Sequence, residues 1–337
     1  MRYVVMDSNN IGKNLATEQF LMNEKNFDEP LLLFYYEENC IIVGRNQNTM
    51  EEINYDYVRE HNIRVTRRMS GGGAVYQDLG NLCFSFVVPA DTNEFGDFKS
   101  ITKPMVDALN RITTKHVEVS GRNDILVDGK KFSGNAMYTK NGKTFSHGTL
   151  MLNVNTDIVA DALNVPQDKI ESKGIKSVRS RVTNLMPYLK DEYKGMTVSD
   201  FRDLLLTSIF EVKTVDDIKD KEYVVSSTDQ VEINKLYEKY YNNWDWVYGN
   251  SPKFTVKRRK HFDHGTIDIR LNVEKGVISN IKFYGDFFGI KDVDELESKL
   301  KAVKYDYSSI SKSLEDVDLG MFFAGIDKEE VINLLIG

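Results

Sequence analysis

Arg67-Arg68-Met69-Ser70-Gly71-Gly72-Gly73-Ala74-Val75-Tyr76-Gln77-Asp78 is the stretch on which the reading of this chain turns. Two arginines precede three consecutive glycines, and a strand-like run over 82–88 follows. Without Cβ atoms the glycines permit backbone dihedrals barred to other residues and allow a bulky ligand to come close. N–H groups exposed in such a turn form a concave nest for an anion. A neighbouring guanidinium adds permanent planar charge matched to phosphate or carboxylate. The plainer reading is a glycine-rich turn with solvated arginines, since glycine clusters mark turns generally. From this stretch alone both readings stand.

A second stretch, residues 121–138, contains Asp124-Ile125-Leu126-Val127-Asp128-Gly129-Lys130-Lys131-Phe132-Ser133. Asp-Gly between two β-like runs predicts a two-residue type I′ hairpin. Val127 then opposes Lys130, Leu126 opposes Lys131, Ile125 opposes Phe132 and Asp124 opposes Ser133. Opposed residues share a face and faces alternate along each strand. Ile125, Val127, Lys130 and Phe132 fall on one face; Asp124, Leu126, Lys131 and Ser133 fall on the other. Asp124 and Lys131 become diagonal neighbours, roughly 7–8 Å apart at Cα and within reach of a lysine stem. An acid, a base and a hydroxyl on one face make a candidate site, against the plainer reading of an exposed ion pair. A one-residue slip would exchange the two lysines.

Helix-like amphipathic stretches lie near 14–26, 55–61, 100–111, 157–163, 198–211 and 229–241. Strand-like runs fall between them at 31–36, 40–44, 63–66, 82–88, 116–119 and 148–153. Such mixing predicts an α/β (α+β) fold in which helices flank a mixed β-sheet, without Rossmann alternation. Asn, Gly, Ser and Pro in 241–252 break both periodicities and mark a domain boundary. The expected division is 1–246 for a large domain and 247–337 for a small C-terminal α/β accessory domain. Strands are expected in the latter at 254–260, 265–272 and 277–284. Trp244 and Trp246 read as packing at the junction rather than as a stacking platform.

At 337 residues, with 41% hydrophobic residues, the chain can bury two cores. Its net charge of −7 argues against a nucleic-acid partner. The run Lys257-Arg258-Arg259-Lys260 reads as a solvated sheet edge. No basic-then-apolar signal opens the sequence, and residues 31–36 are too short to span a bilayer. Two cysteines, Cys40 and Cys83, fit a reducing cytoplasm and read as core. His261 and His264 flank Asp263, a weak pattern without metal-binding spacing. Phosphate-loop, Gly-x-Ser-x-Gly, His-Glu-x-x-His and kinase signatures are absent.

Several motifs together resemble the lipoate–protein ligases of the biotin/lipoate ligase superfamily, in the form typical of Gram-positive bacteria. They are Gly44-Arg45-Asn46-Gln47-Asn48, the stretch 67–78, Gly121-Arg122-Asn123-Asp124 and Lys131-Phe132-Ser133-Gly134-Asn135-Ala136. Ser146-His147-Gly148-Thr149-Leu150 and residues 173–182 continue the series in the family's order. The resemblance implies two half-reactions in one pocket. ATP and lipoate would give lipoyl-AMP and pyrophosphate, and an acceptor lysine would then take the lipoyl group as an amide.

By the same resemblance, Lys131 contacts both adenylate and acyl carbonyl and is the catalytic residue. Arg68, Gly73, Ala74, Val75, Tyr76, Asn81, Asn123, Asp124 and Arg181 join it in binding the nucleotide. Gly72, Gly73, His147 and Lys131 hold lipoate, and Asp124 is the candidate ligand for Mg²⁺. The implied partners are lipoyl-acceptor domains of 2-oxoacid dehydrogenase complexes or the glycine-cleavage carrier protein, with neither nucleic acid nor membrane. The implied C-terminal domain swings relative to the catalytic one, and the basic segment 171–183 closes over the adenylate. Gln77 stands where many relatives place histidine; glutamine can orient a ligand but does not titrate near neutrality.

Other functions stay open at this stage. An ATP-independent lipoyl or octanoyl transferase would need a reactive cysteine, for which Cys83 is the candidate. A biotin ligase would carry a Gly-Arg-Gly-Arg-like signature, absent here. A non-catalytic lipoate- or nucleotide-binding regulator would have no use for the Asp124–Lys131 pair.

Overall fold

Residues Leu31–Tyr35 are buried at every position and show no polar alternation, as a strand covered on both faces must be. In the computed structural model this strand lies inside a large sheet. The structure describes residues 1–89, 96–121, 123–164, 182–248 and 256–336. Strands are numbered along the chain: β1 (Arg2–Val5), β2 (Leu31–Tyr35), β3 (Cys40–Val43), β4 (Arg64–Arg67), β5 (Val75–Gln77) and β6 (Asn81–Pro89). They continue as β7 (Val117–Ser120), β8 (Asp124–Val127), β9 (Lys130–Lys140) and β10 (Lys143–Met151). The last three are β11 (Val256–Phe262), β12 (Gly265–Glu274) and β13 (Val277–Gly285).

The seven-stranded sheet has the order β1-β2-β6-β10-β9-β8-β7. β1 runs parallel to β2 and the remaining pairs are antiparallel, so the sheet is mixed. The two faces of β2 feed two cores. Leu31, Leu33 and Tyr35 pack under helix Ile11–Glu24 with Leu15, Phe20 and Leu21. Leu32 and Phe34 pack on the other side with helices Phe98–Ile112 and Val198–Phe210, through Met105, Leu109, Phe201 and Leu205. A smaller sheet, β4-β3-β5, carries the chain into and out of the glycine run. The helix expected over 14–26 begins three residues earlier because the Asn10 side chain caps it, accepting from Gly12 N and Lys13 N.

Past the boundary region, β11-β12-β13 form an antiparallel sheet with its own core, including Ile267, Ile269, Phe283, Leu296, Phe323 and Leu335. The basic run 257–260 lies on β11, an edge strand of this sheet. This C-terminal domain sits against the first body at defined points. Gly285 N donates to Asn46 O at 2.7 Å, Arg270 pairs with Glu51, and Arg45 pairs with Asp292. Phe288 enters the larger core, its ring centroid 5.9 Å from that of Phe98.

The short helix Trp244–Val247 packs on the first body, where Val247 O accepts from Arg67 Nη2 at 3.0 Å. Trp246 lies beneath the Arg45 guanidinium, 4.5 Å from it, and donates its indole N–H to Arg67 O. Trp244 is exposed. Among the described residues no helix is long and apolar enough to cross a membrane.

Candidate active site

The Asp128-Gly129 turn forms with positive φ at both residues (51° and 73°), as a type I′ turn requires. Val127 opposes Lys130 and Leu126 opposes Lys131, as the sequence predicts. Beyond that point the register departs from expectation. A bulge leaves Phe132 unopposed, so Ile125 faces Ser133 and Asp124 faces Gly134. Phe132 still packs in the core with Ile125 and Val127, and Lys131 still lines the cleft, as the unbulged register also expects. Lys131 Nζ reaches Asp124 Oδ1 at 2.7 Å, with both side chains a little over one-third exposed. The backbone of Lys131 is also engaged: Thr183 N donates to its carbonyl at 2.8 Å.

The glycine loop is built differently from its sequence reading. Arg67 donates to the carbonyls of Gly44, Arg45, Gln47, Trp246 and Val247 and to the Thr49 hydroxyl. Arg68 donates to Ser70 Oγ and to the carbonyls of Ile42, Gly71 and Gly73. Both guanidinium groups are buried, and burial lowers each to about 10. Arg68 lines the cleft, but its donors brace the loop.

The glycines divide their tasks. A Cβ on Gly71 would stand 2.3 Å from Phe287 O of the C-terminal domain. Gly72 has φ +91°, and a Cβ there would meet Arg68 and Phe288. Around Gly73 nothing lies within 4 Å of such an atom. Its open side faces a cleft of about 740 Å³ shared by the loop, the hairpin and the C-terminal domain.

Of the residues expected at the site, Arg68, Gly72, Gly73, Ala74, Val75, Asn123, Asp124, Lys131 and His147 line this cleft. Tyr76 does not. On β5 alternate residues face opposite ways, so Val75 and Gln77 face the cleft while Tyr76 packs below it with Ile41, Val43 and Ile53. Asn81 also lies behind the wall, where its amide donates to Gln77 Oε1 at 3.2 Å and Cys83 Sγ at 3.4 Å. Arg181 and residues 173–181 of the basic segment lie outside the described residues. Val182, at that segment's end, lines the cleft.

Sequence reasoning missed the inner wall of Leu15, Tyr35 and Ile42, which arrives from strands and a helix distant in the chain; Cys83, read as core, lines it too. It also missed Asn135, whose Oδ1 is buried without a hydrogen-bond partner among the described residues. Asn123 fixes that residue: the two exchange backbone and side-chain bonds, including Asn135 Nδ2 to Asn123 O at 3.0 Å. From the C-terminal domain come His261, Asp263 and Asp286. The first two belong to the His/Asp pattern that had carried little weight.

Behind the cleft lie two buried polar groups of residues. In one, His147 Nε2 lies 2.6 Å from Ser70 Oγ and its Nδ1 lies 3.1 Å from Glu18 Oε2; Tyr35 donates to Glu18 Oε1 at 2.7 Å. In the other, Cys83 Sγ donates to Gln77 Oε1 at 2.7 Å and to Glu37 Oε2 at 3.6 Å. Burial pushes the Glu37 carboxyl up to about 8, so it keeps its proton at neutral pH. Burial also pushes the Cys83 thiol well up, against forming a thiolate. Among the described residues no three His, Cys, Asp or Glu side chains converge to hold a metal.

Comparison with known proteins accounts for both parts of the chain. Residues 10–210 match the lipoyl protein ligase A/B catalytic domain, and residues 251–335 match the bacterial lipoate protein ligase C-terminus. Lipoate-protein ligase LplJ of Bacillus subtilis (strain 168) is 46% identical over 98% of this chain and 99% of its own. Lipoate–protein ligase 1 of Staphylococcus aureus (strain Mu50) is 43% identical over 96% of this chain and 95% of its own. Among solved structures, P. falciparum LipL1 in complex with lipoate superposes with a TM-score of 0.78 at 26% identity. That match covers 99% of this chain and 98% of LipL1. A glycine loop and a lysine-bearing hairpin around one cleft, with full-length likeness to these enzymes, place the chain in the lipoate–protein ligase family, as a ligase.

Proposed function

We propose that this ligase activates lipoate with ATP to lipoyl-AMP and then transfers the lipoyl group to a lysine of an acceptor domain. The observation that carries this reading is Lys131, which lines the cleft that Gly73 also lines and whose partly exposed ammonium is held there by Asp124. A carboxylate approaching an α-phosphate is repelled by the triphosphate, and a compact cation between the two reduces that repulsion. The carboxylate oxygen bonds to the α-phosphorus and pyrophosphate leaves. In the second step an amine bonds to the acyl carbon and AMP leaves. Lys131 can serve both steps, because charge gathers on phosphate oxygens first and on the acyl oxygen later. Its ion pair with Asp124 holds it at the cleft wall and exchanges for ligand contacts at low cost, since the pair is partly solvated.

Gly73, Ala74 and Val75 would line the nucleotide, and Leu15, Tyr35 and Ile42 would enclose the apolar acyl chain, next to Gly72 and His147. Asp124 offers a single carboxylate, which fits a magnesium ion held mainly by nucleotide phosphates. Such an ion would add neutralising charge. The acceptors we propose are lipoyl domains of 2-oxoacid dehydrogenase complexes or the glycine-cleavage carrier, and the division into 1–246 and 247–337 belongs to the same reading. The cysteine-dependent transferase is the weaker alternative, because Cys83 is buried and held as a thiol.

Lipoate-dependent exchange of labelled pyrophosphate into ATP is the deciding assay, followed by mass spectrometry of a purified lipoyl domain after incubation with ATP and lipoate. Exchange together with an added lipoyl mass is expected. Acceptor modification that needs no ATP would overturn the proposal.

A further inference from the structure

An open β-sheet bares backbone donors and acceptors along its two outer strands, and proteins generally cover or blunt them. The seven-stranded sheet ends at β1 and at β7. At β1 the chain closes the edge itself: Glu222 bridges Tyr3 in parallel, and Tyr223 N donates to Tyr3 O at 2.8 Å. At β7 the closure is partial. Asn110, on helix Phe98–Ile112, takes both outward groups of Val117. Its Oδ1 accepts from Val117 N at 2.8 Å, and its Nδ2 donates to Val117 O at 2.8 Å.

Those two bonds fix the phase of the strand. Along an antiparallel pair, residues that exchange bonds with the partner alternate with residues whose N–H and C=O face away from it. Val117 faces away from β8, so Glu118 and Ser120 bond β8 and Val119 turns both of its groups outward. Among the described residues nothing meets the Val119 N–H or C=O. The strand contains no proline and its pairing with β8 carries no bulge, two devices that commonly blunt an edge.

This open position adjoins the cleft. Ser120 and Gly121 follow it and line the cleft, and Ser120 opposes Asp124, the acid that holds Lys131. A strand added beside β7 would bring a residue opposite Ser120 onto that same face. It would stand two strand spacings, about 10 Å, from Asp124, most of which a lysine stem crosses. We propose that the Val119 edge is the docking strip for the acceptor domain, which pairs a strand adjoining its acceptor lysine with β7 and so delivers the amine to the cleft. Main-chain bonds of this kind give affinity without reading side chains, so one edge can serve acceptors of different sequence. The inference rests on the ligation reading, which requires a protein lysine to reach this cleft.

The test removes one outward group and watches the other partner. Val119→Pro deletes the N–H and takes no bond from the β7–β8 ladder, at the kind of position where edge strands accept proline. KM for a purified lipoyl domain should rise about tenfold, the worth of one good hydrogen bond. Lipoate-dependent pyrophosphate exchange, which involves no acceptor, should match wild type. A second measurement uses the wild-type enzyme carrying a nonhydrolysable lipoyl-adenylate mimic. Adding the lipoyl domain should slow hydrogen exchange at the Val119 amide about tenfold or more, since a bonded amide exchanges only when it opens.

A wild-type KM in folded Val119→Pro, or unchanged exchange at the Val119 amide, would overturn the inference. Slowing that follows enzyme concentration without acceptor would assign the edge to a second copy of this chain and overturn it too. Should the variant fail to fold, or lose pyrophosphate exchange as well, the amide measurement decides alone. Absence of lipoate-dependent pyrophosphate exchange in the wild type is a separate failure, that of the ligation chemistry itself.

Discussion

The glycine loop and the hairpin both put cations beside three or fewer glycines, yet they use them in opposite ways. In the loop, Arg67 and Arg68 are 8% and 6% exposed, and their guanidinium groups are engaged by backbone carbonyls and hydroxyls. In the hairpin, the Lys131 side chain is 39% exposed and meets one partly solvated carboxylate. A buried guanidinium must satisfy its donors on the protein itself, because leaving them bare costs more than any ligand contact would return. A half-exposed ammonium can exchange a carboxylate for a phosphate with little loss. In the proposed reaction the loop would be the scaffold and the hairpin the instrument, although the loop has the louder sequence.

Activity tests this contrast with the largest effect. Lys131→Ala should lower adenylate formation about 10²–10³-fold, the usual consequence of removing one preorganised electrostatic contact. Its melting temperature should stay within a degree or two of wild type, since a partly exposed ion pair contributes little stability. Lys130→Ala, at the exposed end of the hairpin, should change rate less than twofold. Equal losses in the two variants would break the assignment of the faces.

Arg68→Ala should behave in the reverse manner. It strips donors from Ser70 and three carbonyls, and each orphaned buried acceptor costs about 1–3 kcal/mol, so a stability loss of about 3 kcal/mol is expected in urea unfolding. A variant that unfolds like wild type but loses nucleotide binding would return Arg68 to the role of ligand contact.

The buried polar cluster of Glu37, Gln77 and Cys83 offers a pH test. Glu37, which accepts the Cys83 thiol next to Gln77, has its carboxyl raised by burial from 4.5 to about 8. An acid whose folded value exceeds its unfolded one stabilises the fold most below about 4.5, and that stabilisation drains away as pH rises through about 8. Between pH 6 and 8 the change amounts to about 2 kcal/mol. Glu37→Gln should flatten the fall in stability over that window. An unchanged slope would mean that the carboxyl gives up its proton without penalty and that this polar cluster is wetter than its burial implies.

Much of this fold and part of its site could be read from the sequence, and the divide has physical causes. The strand at β2, the Asp128-Gly129 turn and the Asp124–Lys131 pair follow from local rules of strand patterning and turn chemistry. The bulge at Phe132 did not, because the Asp-Gly turn fixes only the pairs beside it and carries no signal for an extra residue further along the ribbon. The inward turn of the Tyr76 side chain was not legible either, because a motif names residues without saying which face of a three-residue strand each one occupies. Glu18, Tyr35 and Ser70 were invisible as a set: they lie on a helix, a strand and a loop, and only folding brings them to His147. His261 and Asp263 did form a local pattern, but nothing local said that folding would bring it to the cleft.

Gly71→Ala asks the subtlest question, whether the loop's rear face fastens the C-terminal domain. The added Cβ would sit 2.3 Å from Phe287 O, a backbone atom that cannot turn aside, so either the loop or the docked domain must shift. The loop is pinned by Arg68 at Gly71 O and Gly73 O, whereas the domain is held by partly exposed ion pairs, one backbone bond to Asn46 and the insertion of Phe288. The domain should yield, with docking weakened by about 1 kcal/mol, at the low end for overpacking. Small-angle scattering should then report a larger radius of gyration, while melting of the large domain is unchanged. An unchanged radius with a lowered melting temperature would mean that the loop is the softer partner. The bracing arginines would then hold the loop less firmly than their hydrogen bonds indicate.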